Sequence, residues 1–358
     1  MWEHLYALGV SCIEFIQYGF SDYALFFEHV NNFYNPKNVL EVLFPAVSFL
    51  DSVFASQLLL VTAFGGWLNG ILKWVFLEDR PYWWIHETHY YGPSLTPNLK
   101  QTSQTCETGP GNPSGHTATA ASVIVLVIMW ISHIINDRKW EFSYWKFLVY
   151  PILASQLCSV MLARMYVATH FPHQCLLGAL IGVIVAPAIC IYVTDPYIWK
   201  YGWYATLPPG TAVRWHMAYA ATTMSIGIAT YLTLIMCRID PHFTVKLAYR
   251  WCQQPDSIHV STTPVFAIVQ CTAAMLGWAV FVTPAVNKFR HDTYKRSFII
   301  SAFATIVTTY AFQYAEAAIP DDNPIKFLSL NFLLNVLKPL LYLRVLPELS
   351  MWPFKDKN

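Results

Sequence analysis

The sequence predicts an all-α, polytopic membrane protein with about nine transmembrane helices, and three observations predict it. Hydrophobic residues make up 55% of the chain and charged ones only 12%, against about 25% charged in soluble domains. Uncharged runs of spanning length, roughly 20 residues, recur from one end to the other. No low-complexity linker and no internal repeat divides the chain, so one membrane-embedded domain over 1–358 is expected.

The opening stretch, MWEHLYALGVSCIEF, carries Glu3 and Glu14 and no Lys or Arg, unlike the basic start of a cleavable signal. A surface or partly embedded helix is expected there, within an N-terminal segment 1–36 outside the cytosol. A weak span follows at about 37–55, interrupted by Glu41, Pro45 and Asp51. Clear runs occupy 52–72, 117–135, 147–163, 174–194, 215–237, 257–287 and 297–315, and a second weak one, containing Lys338, about 323–345. Nine spans put the termini on opposite sides.

Positive loops stay cytoplasmic. One set of loops, with the C-terminal tail, holds twelve Lys and Arg, among them Lys295, Arg296, Lys355 and Lys357. The other set holds nine, or six once Lys73, Arg80 and Arg164 are set aside as site residues. The N-terminus and the loops 79–114, 164–173 and 238–256 are therefore expected on the lumenal or exterior side, and the tail 346–358 in the cytosol.

A net charge of +1 without a basic run offers no electrostatic footprint for nucleic acid; the lipid bilayer is the partner that composition implies. Eight cysteines without a CxxC pair or zinc spacing read mostly as small core residues. Cys106 and Cys252 fall in polar loops on the same expected side, where a disulfide between them is a hypothesis.

Three segments place charge or histidine at one membrane face, where ionisable groups mark function by default. In KWVFLEDRPYWW, Lys73 and Arg80 are nearly two helical turns apart and project from one helix face. Pro81 is expected to stop that helix, and Tyr82, Trp83 and Trp84 to form an interfacial aromatic belt. In NPSGH, the turn Pro113-Ser114-Gly115 feeds a helix whose first N–H groups and positive dipole end suit a phosphate. His116 sits on its first turn.

In ARMYVATHFPHQ, six helical residues would turn Arg164 and His170 about 240° apart. The chain must leave regular helix near His170 if both face one cavity, and Pro172 gives a reason. His173 and Gln174 follow directly. Taken singly, each segment also fits a structural role: snorkelling cations, a serine N-cap, interfacial histidines. Together they describe a dianion site with two acid/base or nucleophilic groups.

In order and spacing, K-x6-RP, PSGH and R-x5-H resemble the type-2 phosphatidic-acid phosphatase superfamily. DRPYWW, CETGPGNPSGH, AxHFPHQ and RWCQQPDSIHVSTTP are similar to its glucose-6-phosphatase family. The resemblance covers most of the chain and is densest between about 63 and 265. It implies that His170 is a nucleophile forming a phosphohistidine and that His116 protonates the leaving sugar oxygen. Lys73, Arg80 and Arg164, with Ser114 and Gly115, would hold the phosphoryl oxygens. Such chemistry is mainly positioning and charge stabilisation. It calls for no metal or other cofactor, and the sequence offers no clustered carboxylates to hold a metal.

Gln174 stands where the broader superfamily has Asp. An amide oxygen there can accept the other ring N–H of the nucleophile without stabilising an imidazolium as a carboxylate does. Ala163 precedes Arg164 where the family usually has Ser. The family further implies glucose 6-phosphate as substrate, residence in the endoplasmic-reticulum membrane with a lumenal site, and functional coupling to a glucose-6-phosphate transporter. Two other readings compete: a lipid phosphate phosphatase, and a non-hydrolytic anion transporter. The polar loop Tyr90 to Thr108, as a lid over a soluble sugar, favours the sugar phosphate.

Overall fold

The computed structural model describes residues 2–92, 95–139, 144–258, 262–290, 297–320 and 322–351. Lys295, Arg296, Lys355, Lys357 and most of the expected cytosolic tail lie outside the described residues. Among the described residues the regular elements are all helices. Eight stretches among the described residues are long and apolar enough to cross a membrane: Ser52–Glu87, Gly115–Asp137, Trp145–Tyr166, Pro172–Ala205, Thr211–Met236, Pro264–Phe281, Phe298–Ala317 and Pro324–Met351. Helices satisfy their own backbone groups, which lipid cannot do. Their outward faces are apolar, as at the exposed Ile299, Phe303 and Tyr310.

The weak span expected at 37–55 takes another form. The helical segment that ends with Phe44–Leu50 stops at Asp51, which is extended (φ −147°, ψ 104°). Its carboxylate accepts from the N–H groups of Val53 (2.9 Å) and Phe54 (3.0 Å) and so caps the next helix, Ser52–Phe76. The residue read as an interruption is therefore a helix start.

Two compact units are distinguished: Met1–Pro36 with Leu68–Ile184 and Gly227–Ala267, and Lys37–Trp67 with Val185–Ile226 and Ile268–Asn358. In the second unit, π turns at Val39–Leu43, Cys190–Thr194 and Leu341–Val345 each precede a helix with proline second. The residue four before each proline, Glu41, Tyr192 or Leu343, lies inside the π turn. Widening the turn there relieves the clash between the proline ring and that carbonyl.

The first unit carries every expected site residue. The N-terminal helix Trp2–Gly19 buries Val10, Ile13 and Ile16 in its core. There Tyr6 stacks on Phe171 with ring centroids 4.6 Å apart, an arrangement worth about 0.5–1.5 kcal/mol beyond area burial. The helix Pro172–Ile189 runs against Gly115–Asp137 through two glycines. A Cβ on Gly178 would lie 2.5 Å from the Ser114 carbonyl oxygen, and one on Gly182 would lie 2.3 Å from that of Ala118. This small-xxx-small contact, G-A-L-I-G in the sequence, lets two helix N-termini meet closely.

Three expectations for 73–84 are corrected. Helix Ser52–Phe76 ends before Arg80: Leu77 is left-handed (φ 51°) and Arg80 is extended (φ −103°, ψ 151°). Lys73 and Arg80 therefore do not share one helix face. Pro81 starts the helix Pro81–Glu87 instead of stopping one, since a first-turn proline gives up an N–H that has no partner anyway. Tyr82 and Trp83 are fully buried and Trp84 nearly so, all three in the core cluster. They are packing residues, not an interfacial belt.

Candidate active site

Arg80 anchors the site because its extended backbone aims the side chain inward. Nε donates to the Gly109 carbonyl (2.6 Å), Nη2 to that of Pro110 (3.2 Å) and Nη1 to that of Thr169 (3.2 Å). Nη1 also lies 3.3 Å from His170 Nε2. One guanidinium fork thus ties the loop before Ser114 to the segment carrying His170. Lys73, buried at the end of its helix, donates to the Pro110 carbonyl from the other side.

Ser114 is the N-cap of Gly115–Asp137 by backbone, with φ −68° and ψ 114°. Its hydroxyl accepts from Thr117 Oγ1 (3.1 Å), and its N–H donates to the Gln174 carbonyl (3.1 Å). A Cβ on Gly115 would crowd Asn69 Oδ1 at 3.3 Å, and Asn69 itself donates to the Pro113 carbonyl. The first-turn N–H groups of this helix have no intrahelical acceptor, and His116 stands among them.

The chain leaves helix between Arg164 and His170, as the spacing requires. Helix Trp145–Tyr166 ends, Ala168 is left-handed (φ 55°), and Pro172 opens the next helix. Thr169 fastens the turn, its N–H and hydroxyl both donating to the Arg164 carbonyl (3.2 and 2.9 Å). His170 is thereby delivered to Arg80 with its ring 1% exposed. Its Nδ1 lies 2.8 Å from the Gly111 carbonyl, an atom that can only accept. Nδ1 therefore carries the proton and Nε2 the lone pair.

Gln174 does not take the orienting role expected of it. Its amide oxygen accepts from Phe171 N (3.1 Å), and its Nε2 donates to Glu78 Oε2 (3.1 Å) and the Asp79 carbonyl (2.9 Å). The Gly111 carbonyl orients the His170 ring instead. A Cβ on Gly111 would come within 2.4 Å of the Asp79 carbonyl oxygen and 2.7 Å of the Gln174 amide, so only glycine brings its carbonyl this close. His173 turns the other way, to Glu78 (2.8 Å).

Two residues that sequence reasoning missed complete the site. Asn31, on the helix Ala24–Phe33, accepts from Arg164 Nη1 (3.1 Å) and donates to the Ala163 carbonyl (3.2 Å). Glu107 lies between the cations. One carboxylate oxygen is 2.9 Å from Arg80 Nη1 and 3.9 Å from His170 Nε2. The other pairs with Arg164 Nη2 and lies 3.6 Å from His116 Nδ1.

Burial pushes the Glu107 carboxyl up, but Arg164 and Arg80 outweigh it and hold the group well below the usual carboxylate range. Burial, with Arg80 and Arg164 nearby, holds the His170 imidazole well below the ordinary histidine value against the opposing pull of Glu107. The His170 ring is therefore neutral at physiological pH.

The backbone around Glu107 is fixed on both sides. A disulfide joins Cys106 to Cys252, with Cα atoms 5.6 Å apart, as the shared side of the two loops suggested. Tyr82 Oη donates to the Glu107 carbonyl (2.9 Å), and Thr108 N donates to Thr262 Oγ1 (3.0 Å). The loop read as a lid is pinned too: Lys100 N donates to Gln17 Oε1 (3.0 Å), Gln101 Nε2 to the Trp251 carbonyl (3.0 Å) and Thr105 Oγ1 to the Val167 carbonyl (2.7 Å). Pro93 and Ser94 of that loop lie outside the described residues.

Residues 54–197 match the PAP2 superfamily. Glucose-6-phosphatase 2 of Homo sapiens is 33% identical over 77% of this chain and 75% of its own length. Its Mus musculus counterpart is 30% identical over 96% of each chain. Glucose-6-phosphatase catalytic subunit 1 of Canis lupus familiaris is 29% identical over 79% of this chain and 77% of its own. No solved structure matches.

Proposed function

Because the chain belongs to the glucose-6-phosphatase family of the PAP2 superfamily, and is thus a phosphoric monoester hydrolase of the membrane, we propose that it hydrolyses glucose 6-phosphate to glucose and inorganic phosphate through a phosphohistidine on His170. The observation that carries this reading is the pairing of His170 Nδ1 with the Gly111 carbonyl at 2.8 Å. It leaves the Nε2 lone pair facing Arg80, on the side where a phosphoryl group would be held.

In the first step His170 Nε2 attacks phosphorus, the bond to the sugar oxygen breaks, and His116 gives that oxygen a proton. Arg80, Arg164 and Lys73, with the N–H groups beginning at Gly115, stabilise charge on the three equatorial oxygens. In the second step water attacks the phosphohistidine, His116 takes its proton, and phosphate leaves with His170 restored. Dividing the reaction in this way gives two easier displacements, with one histidine serving as acid and then as base. Ser114 acts through its backbone, which sets the helix start.

Two observations support a site facing the lumen of the endoplasmic reticulum. The Lys and Arg bias favours that side for the loops 79–114 and 164–173, and a disulfide beside Glu107 persists in an oxidising compartment. Glucose 6-phosphate would then reach the site through a transporter.

The test is phosphate release from glucose 6-phosphate by the detergent-solubilised protein, beside His170→Ala and with phosphatidate as the rival substrate. Sugar-phosphate turnover and acid-labile phosphoenzyme, both lost in a folded variant, are expected. Preference for phosphatidate would overturn the substrate, and turnover surviving in His170→Ala would overturn the nucleophile.

A further inference from the structure

Glu107 stands in the seat that the reaction assigns to the phosphoryl group, and we propose that its carboxylate is a built-in competitor that makes the site select dianions. A ligand enters only by displacing it. This proposal rests on the phosphoryl-site reading given above.

The geometry is that of a tethered anion. The carboxylate is bound by both guanidinium groups and faces both imidazoles, the same four groups that the reaction requires around phosphorus. It is an incomplete occupant, because it has two oxygens where a phosphoryl group offers three. Arg164 Nε, buried, has no hydrogen-bond partner among the described residues.

Charge then decides which ligands win. Lys73, Arg80 and Arg164 bring three positive charges, and Glu107 neutralises one. A monoanion that replaces the carboxylate breaks two ion pairs and leaves the local charge as it was. A dianion breaks the same pairs and neutralises one charge more, in a site whose cations are buried and where that difference is large.

The tether sharpens the discrimination. The Cys106–Cys252 disulfide, Tyr82 and Thr262 hold the backbone on either side of Glu107, so only the side chain can swing. A displaced carboxylate stays within reach at high effective concentration, and free monoanions must outcompete it. The direction of release is set by exposure: the Glu107 and His116 side chains are 15% and 12% exposed, while those of Arg80, Arg164 and His170 are at most 1% exposed. The carboxylate therefore turns toward the rim it shares with His116.

The experiment compares full-length wild type and Glu107→Gln, which keeps the side-chain shape and removes the charge. Each is titrated with inorganic phosphate, above its second pKa, and with nitrate. Binding is read as the rise in melting temperature, which needs no turnover. Wild type is expected to be stabilised by phosphate and not by nitrate. In the variant the phosphate dissociation constant is expected to fall about tenfold or more, and nitrate to become stabilising.

An unchanged or weaker phosphate constant in Glu107→Gln, with nitrate still inert, overturns the competitor and leaves the phosphoryl site standing. No phosphate stabilisation of either protein overturns both. Should the variant not fold, isotope-edited infrared spectroscopy of wild type carrying 13C-glutamate replaces it. Phosphate is expected to shift an ionised-carboxylate band as Glu107 leaves its arginines, and a spectrum without that shift overturns the proposal.

Discussion

Arg80→Lys keeps the charge of the site and removes its fork. The guanidinium reaches three carbonyls on two segments, those of Gly109, Pro110 and Thr169, besides Glu107. An ammonium is a single point on a flexible stem and can serve one of those segments at a time. At least two hydrogen bonds from a charged donor are lost, each worth about 1.5–3 kcal/mol. If roughly half of that sum is felt in the transition state, about 1.5–3 kcal/mol, kcat/KM falls by about 10- to 150-fold. The assay is hydrolysis of glucose 6-phosphate by the purified variant, with its melting temperature measured alongside. A folded Arg80→Lys protein within about threefold of wild type would refute the argument, because it would show that charge alone positions the loop and the nucleophile.

Three further outcomes are expected. The low pKa of His170 keeps it neutral as pH falls through the ordinary histidine value of about 6.5; its contribution to stability is fully present above that value and is lost progressively as pH falls from there through the folded one. A pH–rate profile should place the acid limb due to this group below 6.5, and protonation of His170 at or above it, followed by NMR, would contradict the reading. Cys106→Ser should cost about 2–4 kcal/mol of stability, and a melting temperature indifferent to reductant would oppose it. Asn31→Ala leaves a buried Arg164 N–H without its acceptor, at a cost of about 1–3 kcal/mol. The kcat/KM of that variant should fall about tenfold, and unchanged kinetics would separate the N-terminal segment from the site.

The basic and imidazole groups were legible because charge near the membrane is rare enough to stand out: Lys73, Arg80, Arg164 and His170 are conspicuous against an apolar background. Even the break between Arg164 and His170 follows from helix geometry, although the left-handed residue is Ala168 and not one beside Pro172. Glu107 was hidden in a loop with no periodicity to mark it. An electrostatic signal did exist, since three buried cations demand a compensating anion and a lone carboxylate sits inside CETGPGN. The orienting group of His170 had little signal, because the Gly111 carbonyl is backbone and only the glycine that its close approach requires marks the position. Reading Tyr82, Trp83 and Trp84 as a belt failed for a related reason: aromatic residues next to a span suit an interface and a core equally well, and only tertiary packing decides.

The site draws on positions from Asn31 to Thr262, and this has a consequence for biogenesis. Asn31 waits for Arg164, a partner 133 residues away, and Cys106 waits for Cys252, 146 residues away. A nascent chain must therefore carry its buried guanidinium groups through several rounds of membrane insertion before every partner has been made. Glu107 is synthesised before Arg164, so the anion that first greets that arginine comes from the chain itself and not from the metabolite pool. Maturation can then finish in a compartment empty of substrate.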